Sequence, residues 1–187
     1  MDWPPLEGGT DGDGMPENLD FEARTQDVVK WVTSLPWSGL QPRVEALLAH
    51  LRGKRIGMLG FCWGGWLVSH ASVLSREVLC GAIAHPSVGL EHAFQSSVGA
   101  LAAKVQCPIL LLPAGNDPPD YVPGGDYYDA VKTNHAATEA VAFPDMAHGW
   151  VSRGDVADAA VKRDVEKAMV LIEGFFGKHL GGGRARM

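Results

Sequence analysis

Cysteine is scarce: Cys62, Cys80 and Cys107 are the three in a chain of 187 residues. An odd set without a CxxC pair builds neither a disulfide framework nor a cysteine-rich zinc centre. That usage suits a reducing compartment, and a cytoplasmic location is the expectation. Basic excess is lacking too. Sixteen Lys and Arg face 22 Asp and Glu, a formal net charge of -6, so the phosphate-neutralising face of a nucleic-acid binder is not expected. No apolar run approaches membrane-spanning length. The opening MDWPPLEGGTDGDG places acid, proline and glycine where a secretory leader needs a basic start and an apolar stretch. Neither a membrane partner nor an internal repeat is expected.

Hydrophobic residues make up 46% of the chain, enough for the core of one ordinary domain. Residues 1–19, rich in Gly, Asp and Pro, read as a flexible arm, 20–180 as the domain, and 181–187 as a tail. Asp20 is a candidate cap for a helix from Phe21, with Val28, Val29 and Val32 on one stripe. A second helix is predicted from Pro42, at a first-turn position, to Leu51. After Gly53 the pattern changes to short continuous apolar runs, 55–59, 81–84, 108–114 and 140–143, the signature of strands buried on both faces. Helices are predicted from near Gly64, from near Tyr127 and over 156–176, the last capped by Asp155. Strand and helix alternating at this pitch imply an α/β fold, a mostly parallel sheet between two helical layers.

Within that frame, RIGMLGFCWGGWLVSH, residues 55–70, reads as strand, tight turn and helix. Gly60 and Gly64 stand two positions either side of Cys62, the register of a nucleophile elbow, in which small neighbours let strand and helix approach. A cysteine there is lifted above the sheet at a helix N-terminus, where backbone N–H groups favour thiolate over thiol. Elbow enzymes bring an acid and then a histidine from loops after later strands. Asp117, in CPILLLPAGNDPPD, and His148, in AVAFPDMAHGWVSRGD, come in that order. Asp120 and Asp126 are rival acids. His85 ends a strand but precedes the acid, so chain order disfavours it. His50, His70, His92, His135 and His179 lack motif context, and Cys80 and Cys107 read as core.

GFCWGG, followed by AGND and HGWVSRGD, resembles the dienelactone hydrolase family, α/β-hydrolases with a cysteine in a GxCxGG elbow. The likeness runs over roughly residues 20 to 180. It implies an α/β-hydrolase-type three-layer fold with Cys62 as nucleophile, Asp117 as acid and His148 as base. It also implies that Arg153, in the HGxxxR arrangement, holds an anionic substrate group, a guanidinium matching a carboxylate through two parallel hydrogen bonds. A surface ion pair is the competing role for Arg153. The Trp63 N–H would be an oxyanion donor, and Trp63, Trp66 and Trp150 suggest an aromatic site. Neither cofactor nor metal is implied.

No strand is read ahead of the elbow, where the family has several, so the expectation is a chain lacking those early strands. The strand at 55–59 would then form an apolar sheet edge, open to a homodimer partner. The leading reading is a hydrolase that opens a small ester or enol-lactone, one bearing an anionic group, through a Cys-His-Asp triad and an acyl-enzyme. The alternatives are a catalytically impaired homologue that only binds or dimerises, and a thiol redox protein. The last is disfavoured because no resolving cysteine lies nearby.

Overall fold

A computed structural model describes residues 23–181. The chain divides into two compact units, 1–40 and 41–187. In the first, the described residues form helix α1 (Thr25–Thr33) and the opening of α2 (Trp37–His50). The expected cap Asp20 and helix start Phe21 lie outside the described residues. Helix α2 begins earlier than the sequence suggested, behind Pro36, whose carbonyl accepts from the Gly39 N–H at 2.9 Å. Pro42 therefore sits inside the helix rather than in its first turn.

The second unit runs β1 (Ile56–Phe61), α3 (Trp63–Leu74), β2 (Val78–Ala84), α4 (Val98–Ala102), β3 (Ile109–Leu112), α5 (Asp126–Asn134), β4 (Glu139–Ala140), α6 (Trp150–Arg153) and α7 (Ala159–Leu180). The four strands form one sheet in the order β1-β2-β3-β4, and every pairing is parallel. Strand β4 is shorter than the expected 140–143. Its continuation survives as a single bridge between Ala114 and Phe143, with the Val141 and Phe143 N–H groups donating to the Leu111 and Pro113 carbonyls at 2.9 and 2.8 Å.

Both faces of the sheet are buried, which explains the unbroken apolar runs. Along β3, Ile109 and Leu111 join a cluster with Val68 of α3 and Tyr127 and Val131 of α5. Leu110 and Leu112 join Ala168, Ile172 and Phe175 of α7 on the other face. Each of the four β3 side chains is at most 1% exposed, a burial worth about 1.5–3 kcal/mol apiece. The result is three layers, helix on sheet on helix. Cys80 and Cys107 are core residues, as read from the sequence.

The last helix starts later than expected. Asp158, not Asp155, caps it, its carboxylate accepting from the N–H groups of Ala160 and Val161. Asp155 instead closes a turn through the Ala157 N–H, and the short α6 stands before it. At the far end the Arg55 guanidinium donates to the carbonyls of His179 and Leu180, both at 3.0 Å. It neutralises the negative end of α7 and ties it to the start of β1. Among the described residues, no helix is long and apolar enough to cross a membrane.

Candidate active site

Cys62 is the single residue between β1 and α3, and its backbone has φ 51° and ψ -117°. That region is costly for a side chain other than glycine, and such strain persists only where the surroundings over-determine it. Strand β2 and the turn after it do so. The Cys62 N–H donates to the Ala84 carbonyl at 3.2 Å, and the Cys62 carbonyl accepts from Ser87 at 3.2 Å and Gly65 at 3.0 Å. A Cβ on Gly60 would collide with the Gly64 carbonyl, so glycine is required there. Gly64 itself has open space around it. The second position demanding glycine is Gly65, where a Cβ would strike Ile83.

The acid and histidine loops are laced together. Gly115 donates to the Met146 carbonyl at 2.9 Å, and the His148 N–H donates to Asn116 Oδ1 at 2.7 Å. A side chain at Gly115 would meet the Pro144 carbonyl, so the approach of the two loops depends on that glycine. Asp117, with a side chain 1% exposed, accepts from the Ala114 N–H at 2.7 Å and pairs with His148 Nδ1 at 2.5 Å. Of the rival acids, Asp120 lies in the 3₁₀ turn at Pro119–Tyr121, and Asp126 opens α5 on the exposed surface.

With Nδ1 held by a carboxylate, His148 turns Nε2 toward Ser87, whose hydroxyl lies 3.5 Å from it and 3.4 Å from Cys62 Sγ. The hydroxyl satisfies both by accepting from the ring N–H and donating to sulfur. Burial opposes charging Cys62, but the polar side chains of His148, His85 and Ser87 around it and the charge of His148 outweigh it, taking the thiol down to about 5. Burial likewise opposes a charged His148, and the bonds and charges of Asp117 and Cys62 raise it to about 10. The two shifts run in the directions that favour a thiolate–imidazolium pair over neutral thiol and imidazole. Burial pushes Cys80 up to about 11 and Cys107 to about 12, so of the three thiols Cys62 alone is lowered.

Trp63 opens α3, which places its N–H among the first-turn donors. Trp150 is 4% exposed and packs on Phe143, ring centroids 4.4 Å apart. Arg153 is exposed at the end of α6. Both line a cavity of about 370 Å³ with Met146, Ala147, His148 and Val161. His148 forms its shared wall with the site, and Cys62 does not line it. Three participants escaped the sequence reading, Ser87 between sulfur and imidazole being the first. Asn116 left no signal beyond its place in AGND. His85, set aside on chain order, is fully buried, with its ring centroid 5.0 Å from that of His148. Among the described residues, no group of three or more His, Cys, Asp or Glu side chains could hold a metal ion.

Among solved structures, an acylaminoacyl peptidase of Pyrococcus horikoshii is similar with a TM-score of 0.58 and 19% identity, over 80% of this chain and 29% of its own. The Pyrococcus furiosus esterase Pf2001 gives 0.55 and 15%, over 74% and 61%. A puromycin-hydrolysing peptidase of Mycobacterium tuberculosis gives 0.50 and 18%, over 75% and 24%. The chain thus spans under two thirds of each of these structures, and the likeness is one of fold, the α/β-hydrolase type. No curated protein matches. The family model for the dienelactone hydrolase family matches residues 21–180, and with most of its length covered the chain belongs to that family.

Proposed function

We propose that this chain is a carboxylic ester hydrolase of the dienelactone hydrolase type, acting through Cys62, His148 and Asp117. The observation that carries the reading is the strained elbow at Cys62, with its thiol facing an imidazole that a buried carboxylate orients at 2.5 Å. The Cys62 thiolate attacks the carbonyl carbon of an ester or enol-lactone, and the Trp63 N–H stabilises the oxyanion. As the C–O bond breaks, His148 passes its proton to the leaving oxygen. In the acyl-enzyme the thiolate charge is gone, so one cause of the raised His148 pKa goes with it. The imidazole then serves as base, taking a proton from the water that attacks the thioester while the sulfur departs as thiolate. Asp117 keeps the tautomer and ring plane correct throughout.

Arg153 and the cavity it lines beside His148 support a substrate with a carboxylate, which a guanidinium binds in two-pronged fashion. The test is turnover of a small activated ester and of an enol-lactone by the intact chain and by Cys62→Ala. Loss of all enzymatic turnover with the fold retained is expected. Equal rates would refute the assignment.

A second reading rests on β1, which ends the sheet among the described residues and leaves Leu59 38% exposed. Such an apolar edge suits pairing with another strand, a second copy of this chain included. Light scattering decides between a dimer and a monomer.

A further inference from the structure

His85 follows β2 in a position no triad requires. Phe61 of β1 pairs with Ala84 of β2, so the next residue on each strand, Cys62 and His85, leaves the sheet edge side by side. His85 has φ 39°, and Cys62 has the other strained backbone at this edge, φ 51°. The His85 N–H is fixed to the Leu112 carbonyl at 2.9 Å, so the unusual backbone aims the side chain rather than marking a loose loop.

The imidazole is 0% exposed, and neither ring nitrogen closes a conventional hydrogen bond among the described residues. A buried donor and acceptor left so is expensive, and native structures tolerate it chiefly at functional sites. The ring lies between the Phe61 ring, at 6.0 Å, and that of His148, at 5.0 Å and 67°. It is also near enough to Cys62 to contribute to the lowering of that thiol. Two imidazoles 5.0 Å apart do not both carry a proton charge readily. His148 has Asp117 and is the charged one. A neutral imidazole has one N–H to give, and Cys62 is the neighbour of His85 across the sheet edge.

We propose that His85 is a positioning residue for the nucleophile, a neutral imidazole whose ring N–H holds the Cys62 thiolate from the buried side while His148 holds it from the solvent side. The nucleophile would then have two histidine partners, one that moves protons and one that does not. The inference rests on the reading of Cys62 as the nucleophile.

The titratable groups around the sulfur are His148, from the loop after β4, with Asp117 behind it from the loop after β3, and His85 itself. Ser87 adds an uncharged hydroxyl. The test is the pH midpoint of Cys62 reactivity toward an aromatic disulfide, which needs no ester turnover. Failure here therefore leaves the hydrolase reading standing, and a failure of ester cleavage alone does not move this midpoint, so the two failures are distinguishable. His85→Phe keeps a ring against Phe61 and removes the donor, and should raise the midpoint by about one to two pH units. His85→Asn and His85→Gln reproduce the reach of Nδ1 and Nε2 in turn, and one of them should return the midpoint toward the wild-type value. An unchanged midpoint in His85→Phe, with only a lower Tm, makes His85 a packing residue and overturns the proposal. A midpoint raised equally in all three variants overturns it as well, since ring shape and not the N–H would then matter. If His85→Phe does not fold, the wild-type protein decides by nitrogen NMR. One His85 ring nitrogen should shift as the thiolate titrates between pH 4 and 6, near the Cys62 value of about 5, and no shift overturns the proposal.

Discussion

Replacing His148 by Gln tests the thiolate–imidazolium pair directly, and the useful readout is not the obvious one. With Cys62 at about 5, the wild-type thiol is roughly 99% ionised at pH 7. Without the imidazolium, burial, still the largest influence, works against what His85 and Ser87 supply; a return to the ordinary 9.0 leaves roughly 1% ionised at pH 7. The rate nevertheless does not fall by about 100-fold, because thiolate nucleophilicity rises with pKa at a Brønsted slope of about 0.4–0.5. A shift of about four units returns roughly 60-fold and nearly cancels the loss. At pH 5.5 the cancellation fails. The wild type is still roughly three-quarters thiolate and the variant about 0.03%, so after the same correction the variant is slower by about 40-fold. The assay is reaction with an aromatic disulfide such as dithiodipyridine from pH 4 to 10. Cys80 and Cys107, buried and high in pKa, remain silent. A wild-type midpoint near 8.5, or one left near 5 in His148→Gln, would refute the electrostatic account.

Three further outcomes are expected. Asp117→Asn retains shape but replaces the carboxylate beside His148 Nδ1, and kcat for ester cleavage should fall about 10³-fold with little change in KM. Asn116→Ala removes the acceptor for the His148 N–H, costing about 0.5–1.5 kcal/mol by urea denaturation and lowering kcat more than it raises KM as the loop loosens. Glu91 accepts from Trp66 Nε1 at 2.6 Å and pairs with His70 Nε2 at 2.7 Å. Burial raises its pKa, and the bonds from Ser96, His70 and Trp66 override this and hold it below the usual 4.5. A depressed carboxyl stabilises the fold above its unfolded pKa and loses that contribution as pH falls. His70, pushed below 6.5 chiefly by burial, adds a loss in the same direction. Stability from urea midpoints should therefore decline from about pH 6.5 down through 4.5, and Glu91→Gln should flatten the lower part of that decline.

What the sequence discloses follows from how local each determinant is. Strands β2 and β3 are legible because residues buried on both faces leave no alternation, and the elbow because its steric demand falls within the six residues from Gly60 to Gly65. Even there Gly64 drew attention that Gly65 warranted, since the clash with Ile83 arises from a neighbouring strand. Boundaries went astray where one acid outcompeted another of the same kind. Asp158 stands three residues beyond the expected cap Asp155 and carries the same carboxylate, and the choice is made by which of the two meets two free helical N–H groups. His85 was discounted for a better reason. Chain order sorts the residues that transfer protons in elbow enzymes, but it is blind to a side chain brought to the sulfur by sheet register. Parallel pairing of β1 with β2 sets Phe61 against Ala84, so the residue after each strand must emerge at the same edge. A strand preceding the acid can therefore supply a partner to the nucleophile, provided that the partner has no proton to relay.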